Sequence, residues 1–358
     1  MRYKLFGASG LRVSELCLGC MTFGEAWGYG VDRQESQRVF EAFATAGGNF
    51  LDTANLYTGG QSEQFLGELI AADRDRFVVA TKYGLATRPD DPNAAGLQRK
   101  NLVQALEASL RRLGTEYVDI LYIHAWDGLT EPAALMRALD DQVRLGKVLH
   151  IAASDTPAWI TARASTLAAA RGWTPFCGLQ LKYSLLERSS ERELLPMAGA
   201  LDLAVTTWGS LGGGQLTGKY LGPRAGERRP AVAVDTRRTG VDAQIDDRSE
   251  RITRTLLAVA TELDATPGQV ALAWVRQQPH ATVIPLVGAR TAVQLAENLR
   301  CLQRELGDDQ LARLDAVSRI DLGFPHEFLR KPSIQSYLHG ECADRVDRPG
   351  RTLSGDPA

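Results

Sequence analysis

Eight short runs of apolar and β-branched residues recur along this chain, separated by segments whose apolar residues return every three to four positions. That order is what a parallel sheet wrapped by helices requires. The runs are Leu16 to Gly19, Asn49 to Asp52, Phe77 to Thr81, Val118 to His124, Val148 to Ala153, Cys177 to Leu181, Leu203 to Thr207 and Thr282 to Val287. Between the first two, Val39, Phe40, Phe43 and Ala46 share a helical face that Gly47-Gly48 ends. Leu102, Leu106, Leu110 and Leu113 line a second helix before Gly114, and Leu135, Leu139 and Val143 a third between Thr130-Glu131-Pro132 and Gly146. Thr266-Pro267-Gly268-Gln269 and Thr291-Ala292-Val293-Gln294 read as capping boxes that open helices on either side of the last strand.

Eight strands favour an α/β fold of the (β/α)8 TIM-barrel kind over an open doubly wound sheet, and no G-x-G-x-x-G supports the latter. Tyr3, Leu5 and then Leu11, Val13 alternate about Gly7 to Gly10, which predicts an N-terminal β-hairpin across the bottom of the barrel. Two segments fall outside the repeat: Gly222 to Ser249, and a tail from about Phe324 to Ala358. Both are expected to be extra loops that shape the site or stay mobile. Neither separates two self-sufficient cores, so residues 1–358 read as one domain, with the barrel reaching about residue 323.

Charge narrows the function. Lys and Arg number 41 against 43 Asp and Glu, so no single-sign field is available for nucleic acid or an anionic membrane. The N-terminus MRYKLFGASG has no signal-peptide core, and no run approaches the ~18 apolar residues of a spanning helix. A cytoplasmic protein is expected. Cys17, Cys20, Cys177, Cys301 and Cys342 are odd in number, which suits buried small apolar residues rather than a disulfide framework or a metal cluster.

A barrel gathers its chemistry at the C-terminal ends of its strands. Asp52 and Tyr57 lie at the end of the second run and in its loop, Lys82 follows the third, and His124 closes the fourth. Neighbouring strands therefore aim a carboxylate, a phenol, an ammonium and an imidazole at one place. A free phenol has a pKa of about 10, so a Tyr that donates a proton near neutral pH calls for a cation that favours its ionised form. Lys82 supplies that cation, Asp52 keeps a buried Lys charged, and His124 can orient a carbonyl oxygen. Taken singly, each residue has an ordinary structural reading as a cap, a solvated charge or a core imidazole. The combination points to proton donation beside a hydride-carrying cofactor.

At these residues the chain resembles the aldo-keto reductase superfamily. The likeness runs through LGCMTFG at 18–24, Asp52 and Tyr57 followed by Gly60 and Ser62-Glu63, ATK at 80–82 and LYIH at 121–124. The resemblance implies a catalytic tetrad with Tyr57 as general acid and Lys82, Asp52 and His124 in support. It also implies a nicotinamide cofactor held by Met21, Asp52, Ser154, Gln180, Trp208, Gly209, Ser210, Leu211, Gly213 and Lys219, with Trp208 stacking on the nicotinamide. Asp155 stands where the family more often carries Asn or Arg.

After the last strand, Arg290 is a natural partner for a 2′-phosphate, because a guanidinium presents a planar fork of donors. That favours NADPH/NADP+, with NADH possible. The resemblance adds Gly288, Gln294, Glu297 and Asn298 as adenosine contacts, Gln294 serving either as a ligand or as a capping-box member. Phe23, Trp27, Trp126 and Asp127, with Phe324, Phe328 or Tyr337 from the tail, would form a wall for a small-molecule aldehyde or ketone together with Tyr57 and His124. Two other functions fit part of this pattern: a cofactor-holding regulatory subunit of the potassium-channel kind, and a Schiff-base aldolase using Lys82. Oligomeric state is not legible.

Overall fold

The structure, a computed structural model, describes residues 1–221 and 246–340. Two short strands, β1 (Tyr3–Leu5) and β2 (Arg12–Ser14), pair antiparallel as the predicted hairpin. Eight parallel strands then close into a barrel: β3 (Cys17–Gly19), β4 (Phe50–Asp52), β5 (Val78–Tyr83), β6 (Val118–Ile123), β7 (Val148–Ser154), β8 (Phe176–Lys182), β9 (Ala204–Trp208) and β10 (Val283–Val287). Each expected run holds a strand, with ends displaced by one or two residues. The consequential shift is at β6, which stops at Ile123 and leaves His124 on the rim.

The period-2 alternation of the strands separates two packing layers. Phe50, Val78, Ala80, Ile120, Tyr122, Ala152, Cys177, Ala204 and Ile284 fill the barrel interior, while Leu51, Val79, Leu121 and Ile151 join the larger core under the helices. On this alternation Asp52, Lys82 and His124 continue the inward rows of β4, β5 and β6 past the last apolar layer. The hairpin plugs the opposite end. Phe6 is fully buried in the interior cluster and meets Phe50 edge-on at 5.6 Å. Gly178 makes room for it, since a Cβ there would stand 2.4 Å from the Phe6 ring.

The helices α1 (Arg33–Thr45), α2 (Gln61–Ile70), α3 (Arg99–Leu113), α4 (Pro132–Arg144), α5 (Ala158–Arg171) and α6 (Leu194–Ala200) follow β3 to β8 in turn. The chain then adds α7 (Asp247–Glu262) and α8 (Pro267–Arg276) before β10, and α9 (Ala292–Leu299) and α10 (Asp308–Ser318) after it. Thr266 and Gln269 cap α8 reciprocally, as their spacing predicts. At α9 only half of the expected box forms. Thr291 Oγ1 accepts from the Gln294 N–H at 3.2 Å, but Gln294 Oε1 reaches past Thr291 to the Arg290 N–H at 3.0 Å.

The segment expected as a loop to Ser249 ends earlier. Asp246 accepts from the Ser249 N–H, and Asp247 already begins α7; residues 222–245 lie outside the described residues. In the tail, residues 326–329 and 332–339 form two short helices, and residues 341–358, with Cys342, lie outside the described residues. Cys17, Cys20, Cys177 and Cys301 are buried free thiols. Among the described residues no helix is long and apolar enough to cross a membrane.

Candidate active site

The inward rows of β4 and β5 end on a buried ion pair. Lys82 Nζ donates to Asp52 Oδ2 at 2.5 Å, to the Thr53 carbonyl at 2.8 Å and to Tyr57 Oη at 3.2 Å, so its three protons are all directed. Lys82 is 1% exposed and Asp52 2%. Burial alone would depress the lysine pKa, but Asp52 and Tyr57 beside it more than offset burial and hold it above the ordinary lysine value. The second Asp52 oxygen accepts from Gln180 Nε2 at 2.8 Å. Gln180, assigned by resemblance to a cofactor amide, thus already anchors the carboxylate that anchors Lys82.

Tyr57 differs from the sequence expectation in balance. Lys82 does favour its phenolate, yet burial outweighs that cation and leaves the Tyr57 pKa above the ordinary phenol value. At neutral pH Tyr57 therefore holds its proton. The imidazole of His124 meets the Tyr57 ring edge-on at 5.8 Å. Burial first, and then Lys82, push its pKa down to about 3, so it is neutral, and its Nδ1 is buried without a partner. A neutral imidazole still offers one N–H donor.

The loop carrying Tyr57 is built with strain. Thr58 is β-branched yet sits at φ 49°, a backbone conformation disfavoured for such residues. Its hydroxyl secures the turn by donating to the Phe23 carbonyl at 2.6 Å and accepting from the Ser62 N–H at 3.1 Å. Beneath it, buried Glu63 accepts from Thr81 Oγ1 at 2.5 Å and from Arg112 Nε at 2.7 Å, fixing β5 next to Lys82. Thr58 and the Glu63 anchor were not identified from sequence, where neither the turn geometry nor the partners are visible.

The substrate wall is smaller than expected. Trp27 is half-buried and meets the Tyr57 ring at 6.1 Å, and Trp126 is half-buried on the rim after β6. Phe23 is fully buried and packs in the core, so it presents no surface to a substrate. Asp127 organises its own loop, accepting from the N–H groups of Leu97, Leu129 and Thr130 and from Thr130 Oγ1. Phe324 and Phe328 pack on each other at 5.9 Å, and Phe324 and Tyr337 are more than four-fifths exposed.

The expected cofactor residues lie along the rim. Trp208 ends β9 with 37% of its surface exposed, and its indole N–H donates to Asp155 Oδ1 at 3.1 Å. Gly209 and Gly213 have positive φ, while Ser210 is buried and bonds back to Thr207. Leu211 is partly buried against the core, Lys219 lies exposed over the Tyr220 ring, Met21 is half-buried after β3, and Ser154 is buried at the end of β7. After β10, Gly288 is exposed, and a Cβ there would find nothing nearer than the Gly19 carbonyl at 3.7 Å. Arg290 is exposed and makes no ion pair among the described residues, Glu297 is exposed and Asn298 half-buried.

A partly exposed indole, approachable glycine backbone and an unpaired guanidinium on one rim fit a phosphorylated dinucleotide. One neighbour was not foreseen: Glu35 Oε1 accepts from the Ala292 N–H at 3.0 Å, placing a carboxylate at the first turn of α9.

Comparison with known proteins identifies the family. The family model for the aldo/keto reductase family matches residues 15–319. An aryl-alcohol dehydrogenase of Pestalotiopsis microspora is 37% identical over 340 residues, 92% of this chain and 85% of the relative. A norsolorinic acid reductase of Emericella nidulans is also 37% identical, covering 92% and 84% of the two chains. An aryl-alcohol dehydrogenase [NADP(+)] of Phanerodontia chrysosporium is 34% identical over 96% of this chain and 92% of its own.

Proposed function

The chain belongs to the aldo/keto reductase family, whose chemistry is oxidoreduction between carbonyls and alcohols, and we propose that it interconverts aryl aldehydes and alcohols with NADP(H). The observation that carries this reading is the ammonium of Lys82, held between Asp52 Oδ2 and Tyr57 Oη. When bound, the nicotinamide supplies or accepts the hydride. Tyr57 gives its proton to the carbonyl oxygen, and Lys82 stabilises the phenolate left behind. Asp52 keeps Lys82 charged, and Gln180 keeps Asp52 in place. His124, being neutral, donates a hydrogen bond to the carbonyl oxygen without competing as an acid. Trp208, Gly209 and Gly213 would hold the nicotinamide half of the cofactor, and Gly288, Arg290 and Asn298 the adenosine half. Trp27 and Trp126 would flank an aromatic substrate, in keeping with the names of the relatives.

The aldolase alternative asks Lys82 for a neutral amine, whereas Asp52 holds it charged. The test follows NADPH absorbance with aromatic and aliphatic aldehydes. Native protein should oxidise NADPH, and Tyr57→Phe should lower turnover by about two to four orders of magnitude. Tight binding without turnover would favour the regulatory-subunit reading instead. Failure to bind NADPH would refute the assignment of residues 208–213 and 288–298.

A further inference from the structure

Asp155 is held on three sides. It follows β7 in a left-handed conformation, φ 41°, which a short polar side chain tolerates better than most. Its N–H donates to the Gln180 carbonyl at 3.1 Å, its own carbonyl accepts from the Trp126 N–H at 3.4 Å, and its Oδ1 accepts from the Trp208 indole. The carboxylate is thereby pinned against the edge of the ring that ends β9.

The charges around it are unequal. Lys82 and Asp52 neutralise each other at 2.5 Å, and His124 is uncharged. Lys182 lies 5.6 Å from the Trp208 ring centroid and, like Asp155, is exposed, so solvent screens both charges, but only Asp155 is fixed by a hydrogen bond to the ring. Asp155 makes no ion pair among the described residues. Burial raises its pKa above the ordinary carboxylate value, opposed by Trp208, Lys82 and Lys182, and its charge also acts on Tyr57.

We propose that Asp155 biases the rim toward the oxidised, positively charged nicotinamide ring, so that NADP+ is held more tightly relative to NADPH than a neutral side chain at this position would allow. The inference rests on the reading that Trp208 lines the nicotinamide site. Carbonyl reduction turns a neutral ring into a cation as the hydride passes to the carbonyl carbon and the Tyr57 proton to the oxygen. A fixed carboxylate lowers the free energy of the cationic side, and with it the cost of hydride donation. Because Asp155 is solvent-exposed, screening limits the effect on relative affinity to about fivefold.

The test measures dissociation constants for NADP+ and for NADPH by calorimetry, in the full-length protein and two variants. Asp155→Asn retains an acceptor for the indole and removes the charge, and it should raise the ratio Kd(NADP+)/Kd(NADPH) about fivefold. Lys182→Met removes the opposing cation and should lower the same ratio, by about twofold given its exposure. Ratios that stay within twofold of native in Asp155→Asn, or that fail to move in opposite directions in the two variants, overturn the proposal while leaving the reductase reading intact. Native protein that binds neither cofactor overturns both.

Discussion

The floor of the barrel mouth and its rim are built on opposite principles. On the floor, at the ends of β4 to β6, every charge is buried and committed: Lys82 to three acceptors, Asp52 to Lys82 and Gln180, Glu63 to Thr81 and Arg112. On the rim after β10, Arg290 and Gly288 are exposed, and Glu35, which accepts from the Ala292 N–H, is partly exposed. A buried network must be complete before any ligand arrives, because an unpaired charge there is intolerable. An exposed rim can wait for its partner, since water solvates it meanwhile. The buried network is prepared in advance; the exposed rim is left to the encounter.

The hardest blow to this contrast would come from Lys82→Met. It strands Asp52 in the interior and should cost about 3–5 kcal/mol of stability as well as activity, a loss that thermal melting would register. Unchanged melting would mean the floor is less interdependent than its contacts imply. Acid provides a milder probe of the same region. His124 in the folded chain titrates at about 3, against 6.5 for a free imidazole, so the unfolded chain binds the extra proton between those values. Stability from this site is therefore complete above about pH 6.5 and declines as pH falls toward 3, by up to a few kcal/mol. His124→Gln should flatten that part of a pH-melting curve.

The rim should respond differently. Arg290→Ala is expected to weaken NADPH about fivefold to tenfold, leaving NADH and the melting temperature alone. An equal loss for both cofactors would remove the 2′-phosphate role of Arg290. Smallest of all, Glu35→Gln takes a negative charge from the start of α9 and should tighten NADPH about twofold, an effect that salt should erase. Calorimetry at two ionic strengths would decide it.

What was legible in the sequence followed the same division. Strand parity and strand ends are local properties, so the sequence alone places Asp52, Lys82 and His124 on one inward-facing rim. Direction in a loop is not local. Phe23 and Asp127 sit on the expected loops, but one turns into the core and the other into its own backbone. The Glu35 contact with Ala292 spans 257 positions and joins two surface helices, and no spacing pattern encodes that. The sign of the Tyr57 shift depended on how deeply its loop is buried, which the Thr58 turn governs.

Phe6 stops the lower end of the barrel with an aromatic ring, and the interior above it is filled as far as Tyr122, whose hydroxyl meets Thr206 at 3.2 Å. Nothing can pass through such a column. Whatever reaches Tyr57 must come in over the rim that Trp208 and Gly288 border, and must go out the same way. Traffic at this mouth has one door, and anything that narrows the rim slows every arrival and departure alike.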